Sequence, residues 1–180
     1  MLSEEDGKFL LRLARKTIEN HVNNKKTQMP DSYPEPLNEK RGIFCTLNKS
    51  VNGERQLRGC IGIPYPVKPV IEAVIEAARG SCEDPRFPPM SKEELDEVKI
   101  EISVLTEPEL IEDFSPDKVN NKDGLILEYG PYSGLFLPQV WEQIPDKNEF
   151  LDSLCLKAGI SPGMWKDARI YKFNVQVFEE

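Results

Sequence analysis

The stretch Gly42-Ile43-Phe44-Cys45-Thr46-Leu47-Asn48-Lys49-Ser50-Val51-Asn52-Gly53-Glu54-Arg55-Gln56-Leu57-Arg58-Gly59-Cys60-Ile61-Gly62-Ile63 decides the fold. Its first six residues and its last seven are rich in strand formers, and Asn52-Gly53 is a preferred dipeptide for a two-residue hairpin turn. Counting outward from that turn places Cys45 opposite Cys60, with both thiols on one face. On the return strand Arg58, Cys60 and Gly62 share that face, whereas Leu57, Gly59, Ile61 and Ile63 share the other, apolar one, so Leu57, Ile61 and Ile63 are expected in the core. A slip of one residue on either strand would send the two thiols to opposite faces.

Working outward, Ser3 and Asp6 form a capping pair for a helix carrying Leu10, Leu13, Ala14, Thr17 and His21 at helical spacing. His21, the only histidine, falls at the fraying end of this helix and reads as a surface or boundary residue. Residues 23–40, with Pro30, Pro34 and Pro36, have no periodicity and read as a long loop, of the kind that is either functional or disordered. After the hairpin, Pro69 opens an apolar helix through Ala78, and Asp84-Pro85-Arg86-Phe87-Pro88-Pro89 is a proline-stiffened loop. Ser91 and Glu94 box a short acidic helix, and Val98 to Val104 alternates as a half-buried strand. Leu125–Tyr129 and Leu135–Leu137 form a second hairpin, Asp146 and Glu149 start a helix that Gly159 stops, and Tyr171 to Val177 alternates as a final strand. Hairpins interleaved with helices predict an α+β domain over residues 1–180, with a largely antiparallel or mixed sheet flanked by helices.

Composition narrows the function. The formal charge is −8, and residues 87–160 carry sixteen acidic against six basic side chains, so general nucleic-acid binding is disfavoured. The first fifty residues carry nine basic against seven acidic groups and the first 90 are close to neutral, which leaves a small anionic ligand possible in that part of the chain. No apolar run approaches the roughly 18 residues of a membrane span, and the acidic start is unlike a secretory signal. A cytoplasmic protein is expected. Cysteines 45, 60, 82 and 155 are spaced unlike a zinc site, so reduced thiols and no metal are the expectation. Gly59 and Gly62 form no phosphate-binding pattern, and no cofactor is indicated.

The hairpin holds the candidate site. Cys60 lies between two glycines that bare the backbone to a ligand or another chain, and the Arg58 guanidinium could stabilise its thiolate. The plain alternative makes Cys60 a small buried hydrophobe and the glycines the mark of a bulge. Glu83, Asp84 or Glu101 could serve Cys60 as a base, and no spacing singles one out. Asp84 and Arg86 could hold a polar ligand or lock two lobes together, or simply build a turn.

Arg41-Gly42-Ile43-Phe44, Leu57-Arg58-Gly59-Cys60-Ile61-Gly62, Asp84-Pro85-Arg86-Phe87, Glu101-Ile102-Ser103-Val104-Leu105 and Leu135-Phe136-Leu137-Pro138-Gln139-Val140 occur in this order. On these motifs the chain resembles the AMMECR-one domain family, named for the Alport syndrome and elliptocytosis chromosomal region, from about residue 3 to 178. The resemblance implies a larger and a smaller subdomain, whose boundary the sequence does not resolve, a cytoplasmic role and no established activity. It implies a functional site at Arg58, Gly59, Cys60 and Gly62 with Asp84 and Arg86 beside them, and association with Memo-like and radical-SAM-type proteins. Cys45 stands where the family usually has an aliphatic residue, so a dithiol is not the general mechanism and Cys60 would act alone. Two functions stay open. One is a module binding a ligand or partner through the Arg58 to Gly62 surface; the other is a thiol-dependent enzyme, or enzyme component, with Cys60 as nucleophile.

Overall fold

The computed structural model describes all 180 residues. The helices are α1 (Glu4–Val22), α2 (Val70–Cys82) and α3 (Lys147–Ala158). The strands are β1 (Ile43–Val51), β2 (Glu54–Ile63), β3 (Val98–Leu105), β4 (Glu109–Leu110), β5 (Gly124–Tyr129), β6 (Tyr132–Phe136), β7 (Arg169–Phe173) and β8 (Val175–Glu179). The chain divides into a larger unit, Met1–Leu105 with Gln176–Glu180, and a smaller one, Thr106–Val175. The α+β class with antiparallel pairing and units of two sizes is as expected, but the strands form two four-stranded sheets. No helix is long and apolar enough to cross a membrane.

The larger unit holds the sheet β2-β1-β3-β8, in which β1 pairs antiparallel with both β2 and β3. Ser3 begins α1 as expected: its hydroxyl accepts the Asp6 N–H at 3.1 Å, and the Asp6 carboxylate accepts the Ser3 N–H at 2.8 Å. The helix then buries Leu10, Leu13, Ala14, Thr17 and Ile18. α2 buries Val70, Ile71, Ala73, Val74, Ala77, Ala78, Ser81 and Cys82, so both helices pack with Ile43, Cys45, Leu47, Ile100 and Ile102 of the sheet in one core. Full burial of each large aliphatic there contributes about 1.5–3 kcal/mol. The loop over residues 23–40 is ordered by a short 3-10 turn, Glu35–Asn38, whose Leu37 is fully buried.

The smaller unit holds the sheet β4-β7-β5-β6. The β5–β6 turn is tighter than the sequence predicts, because Tyr132, Ser133 and Gly134 join β6 and leave Gly130-Pro131 as the connection. Asp146 caps α3 by accepting the Asn148 and Glu149 N–H groups, and Gly159 ends it at φ 86°. Phe150 of α3 stacks on Trp141 with ring centroids 3.6 Å apart. The single final strand expected over Tyr171–Val177 is two strands in different sheets. The break falls at Asn174, whose N–H is taken by the Thr106 hydroxyl at 2.9 Å and whose carbonyl accepts the Thr106 N–H at 2.8 Å.

Candidate functional site

The β1–β2 hairpin turns at Asn52-Gly53, both in the left-handed region at φ 54° and 83°, as a type I′ turn requires. Val51 pairs Glu54, and the ladder runs regularly to Asn48 opposite Leu57. The next pair is Leu47 with Gly59, so Arg58 is an extra residue bulged out of β2. From there Thr46 faces Cys60, Cys45 faces Ile61 and Phe44 faces Gly62. The bulge therefore overturns the expected Cys45–Cys60 pair. Cys45 is fully buried in the core, where burial pushes its thiol well above the usual range, and Cys60 lies half-buried on the opposite face.

The same bulge separates Arg58 from Cys60 and reverses Leu57, which is 42% exposed and not in the core. Arg58 spends its charge on Glu94, with Nε to Oε1 at 2.7 Å and Nη2 to Oε2 at 2.9 Å. Its Nη2 also donates to the Pro88 carbonyl at 2.9 Å, its guanidinium carbon lies 5.8 Å from the Phe87 ring centroid, and Nη1 is buried without a hydrogen-bond partner. Lys49 Nζ approaches Glu94 at 2.6 Å. Arg58 first, then Lys49, holds the Glu94 carboxyl down at about 2. The expected support of the Cys60 thiolate by Arg58 is absent from this geometry.

Both glycines of the motif are filled by the protein's own groups. A Cβ on Gly59 would strike the Ser81 carbonyl oxygen at the end of α2, so the missing side chain lets the helix close on the strand. A Cβ on Gly62 would strike the Phe44 ring and the Ile43 carbonyl oxygen. Ser81 reinforces the contact: its hydroxyl donates to the Cys45 carbonyl at 2.7 Å and accepts the Ile61 N–H at 3.2 Å.

β2 lies at the edge of its sheet, where outward N–H and C=O groups need other partners. At Cys60 the loop after α2 supplies them. The Asp84 carboxylate, whose side chain is 1% exposed, accepts the Cys60 N–H at 2.8 Å. It also accepts the Arg86 N–H at 3.0 Å, Nε at 3.0 Å and Nη2 at 2.7 Å. Arg86 Nη2 donates in addition to the Cys60 carbonyl at 3.3 Å. Arg86, aided by the two backbone N–H groups, holds the Asp84 carboxyl far below the usual carboxylate range. Asp84 and Arg86 thus pair with each other across a turn, as the aspartate-proline sequence allows, and together bracket Cys60.

The Cys60 thiol meets the Thr46 hydroxyl at 3.3 Å. Burial raises its pKa above the ordinary thiol value, against the opposing effects of the Thr46 hydrogen bond and the Arg86 charge. None of the candidate bases bonds to it. Glu83 lies 3.4 Å from His21, Asp84 is occupied by four N–H donors, and Glu101 pairs with Arg55 at 2.5 Å. No group of three or more His, Cys, Asp or Glu side chains is placed to hold a metal ion. The structure brings Cys60, Asp84 and Arg86 together and sets Arg58 apart with Glu94. Reading the sequence missed Thr46 and Ser81 altogether and saw Glu94 only as a helix cap, since these pairings join residues 14 to 36 positions apart.

The chain matches the AMMECR1 family over residues 11–178. It is similar to a protein of Methanocaldococcus jannaschii, at 49% identity over 100% of this chain and 92% of that one. It is also similar to a protein of Thermococcus onnurineus, at 47% identity over 99% of this chain and 92% of that one. The crystal structure of an uncharacterized protein from Pyrococcus horikoshii superposes with a TM-score of 0.86 at 47% identity, covering 99% of this chain and 93% of that one. With the antiparallel α+β architecture and the match across nearly the whole chain, this protein belongs to the AMMECR1 family.

Proposed function

We propose that the chain is a binding module whose recognition group is Arg86, presented beside the thiol of Cys60 and the hydroxyl of Thr46. The observation that supports this reading is the state of Arg86. Its guanidinium is fixed by the buried Asp84 carboxylate, yet the side chain is 57% exposed and Nη1 makes no hydrogen bond within the chain. An arginine held in place before binding loses little rotamer entropy when it meets an acceptor, and with Nε and Nη2 engaged by Asp84 and the Cys60 carbonyl its remaining Nη1 can donate to a carboxylate oxygen. Within the Arg58 to Gly62 stretch, Arg58, Gly59 and Gly62 serve the fold, which leaves Cys60 and the neighbouring Arg86 to face a partner. A carboxylate-bearing segment of a partner protein fits this chemistry, and Memo-like and radical-SAM-type proteins are the candidates the family resemblance brings.

The thiol-enzyme alternative is less well supported. A nucleophilic cysteine needs a lowered pKa or an adjacent base, and Cys60 has a raised pKa and only a hydroxyl beside it. The test is native mass spectrometry of the chain mixed with each candidate partner. Binding is expected for the wild type and is expected to fall for Arg86→Gln and Cys60→Ala. Retention undiminished in both variants would exclude this surface.

A further inference from the structure

A second concavity lies away from Cys60, between α1 and the loop that follows it. Phe9, Leu13, Lys16 and Asn20 recur along one face of α1, with Arg12 beside them, and form one wall. The loop turns back at Asn24, at φ 56°, and is tied to the helix by the Lys25 N–H to the Asn20 carbonyl at 2.7 Å and by Asn20 Nδ2 to the Thr27 hydroxyl at 3.1 Å. Lys26, Met29, Pro30 and Asp31 make the facing wall, and the groove holds about 540 Å³, within the range of small-molecule sites.

Its chemistry is two-sided. Phe9, Leu13, Met29 and Pro30 supply apolar surface, and Met29 is exposed although it is a large hydrophobe. Arg12, Lys16 and Lys26 supply positive charge, and Asp31 is the only carboxylate in the lining. None of the three cations forms an ion pair; Arg12 lies over the Phe9 ring, 5.9 Å from its centroid. Lys26 is shared with an adjoining hollow where Lys25 and Arg79 are likewise unpaired and no carboxylate lines the wall. Arg12 and Lys16 also border a hollow lined by Glu19, Glu179 and Glu180, so it is on the loop side, where Lys26 and the other unpaired cations face an apolar floor, that this chain of net charge −8 has an anion-attracting feature.

We infer that this groove binds a small organic anion, an aromatic or aliphatic body bearing a carboxylate, phosphate or sulfonate. The body lies on Phe9, Leu13, Met29 and Pro30, and the charge meets Lys16, Lys26 and Arg12. The inference is independent of the Cys60 and Arg86 surface.

The probes are 1-anilinonaphthalene-8-sulfonate and its uncharged counterpart N-phenyl-1-naphthylamine, titrated by fluorescence against the full chain. The sulfonate is expected to bind saturably, about tenfold or more tighter than the neutral dye, and to weaken by a similar factor in the Lys16→Glu/Lys26→Glu variant and in about 0.5 M salt. Both lysines are exposed, so the variant should keep the wild-type circular dichroism and melting point. Met29→Ala is expected to weaken both dyes. Equal binding of the two dyes, indifference to the charge reversal, absence of saturable binding, or displacement of the sulfonate by octaglutamate more effectively than by decanoate would overturn the inference.

Discussion

The Asp84 carboxylate accepts the backbone N–H of Cys60 at 2.8 Å, from a side chain almost wholly withdrawn from solvent. The contact pins the edge strand to the loop after α2, and it makes the position of the thiol depend on a residue 24 positions away.

Asp84→Asn should lower unfolding stability by about 1–3 kcal/mol, because a charged acceptor serving four N–H donors becomes a neutral one. The pH dependence has a definite sign. The carboxyl pKa is depressed in the folded chain, so its contribution is complete above the unfolded value of about 4 and is lost as pH falls toward the folded value. Urea midpoints measured between about pH 5 and pH 2 should fall more steeply for the wild type than for Asp84→Asn.

Arg58→Ala should cost about 2–4 kcal/mol, since it leaves the partly buried Glu94 facing Lys49 alone. Chemical denaturation of Arg58→Ala, Glu94→Gln and the double variant should give a coupling of about 1 kcal/mol or more. If Arg58 supported the Cys60 thiolate, Arg58→Ala would also slow Cys60 alkylation at fixed pH. The rate is expected to be unchanged.

Gly59→Ala and Gly62→Ala should each lower stability by about 1–3 kcal/mol, because the new methyl group would strike backbone carbonyl oxygen in both cases. Gly130→Ala is the comparison: nothing lies near its Cβ, and only the positive φ opposes it, at a cost of about 1 kcal/mol. Thermal melts of the three variants should place Gly59→Ala and Gly62→Ala below Gly130→Ala.

Most of the architecture was readable because its signals are local. The Ser3 and Asp146 caps, the Asn52-Gly53 turn, the stop at Gly159 and the period of α1 each reflect a few neighbouring residues, and the structure contains them as expected. The site was less readable because one bulged residue changes every face beyond it. Alternation through Leu57, Gly59 and Ile61 looks unbroken in sequence, yet Arg58 is inserted and Leu57 faces out. Glycine next to arginine was the available sign of a bulge, and it did not fix the register. The Arg58–Glu94 and Cys60–Asp84 contacts come from chain folding back over 36 and 24 residues, which no periodicity encodes. The alternation from Tyr171 to Val177 failed for a related reason: a period of two continues across Asn174 even though the chain changes sheets there.

The most direct measurement is the pH dependence of Cys60 alkylation in the native chain, followed residue by residue with mass spectrometry so that the three buried cysteines are not confused with it. A binding surface with an unactivated thiol predicts an apparent pKa above the ordinary value of about 8.5, moving higher still in Arg86→Gln as the nearby positive charge is lost. An apparent pKa well below that value, near or under about 7, would contradict the account and return Cys60 to the role of nucleophile.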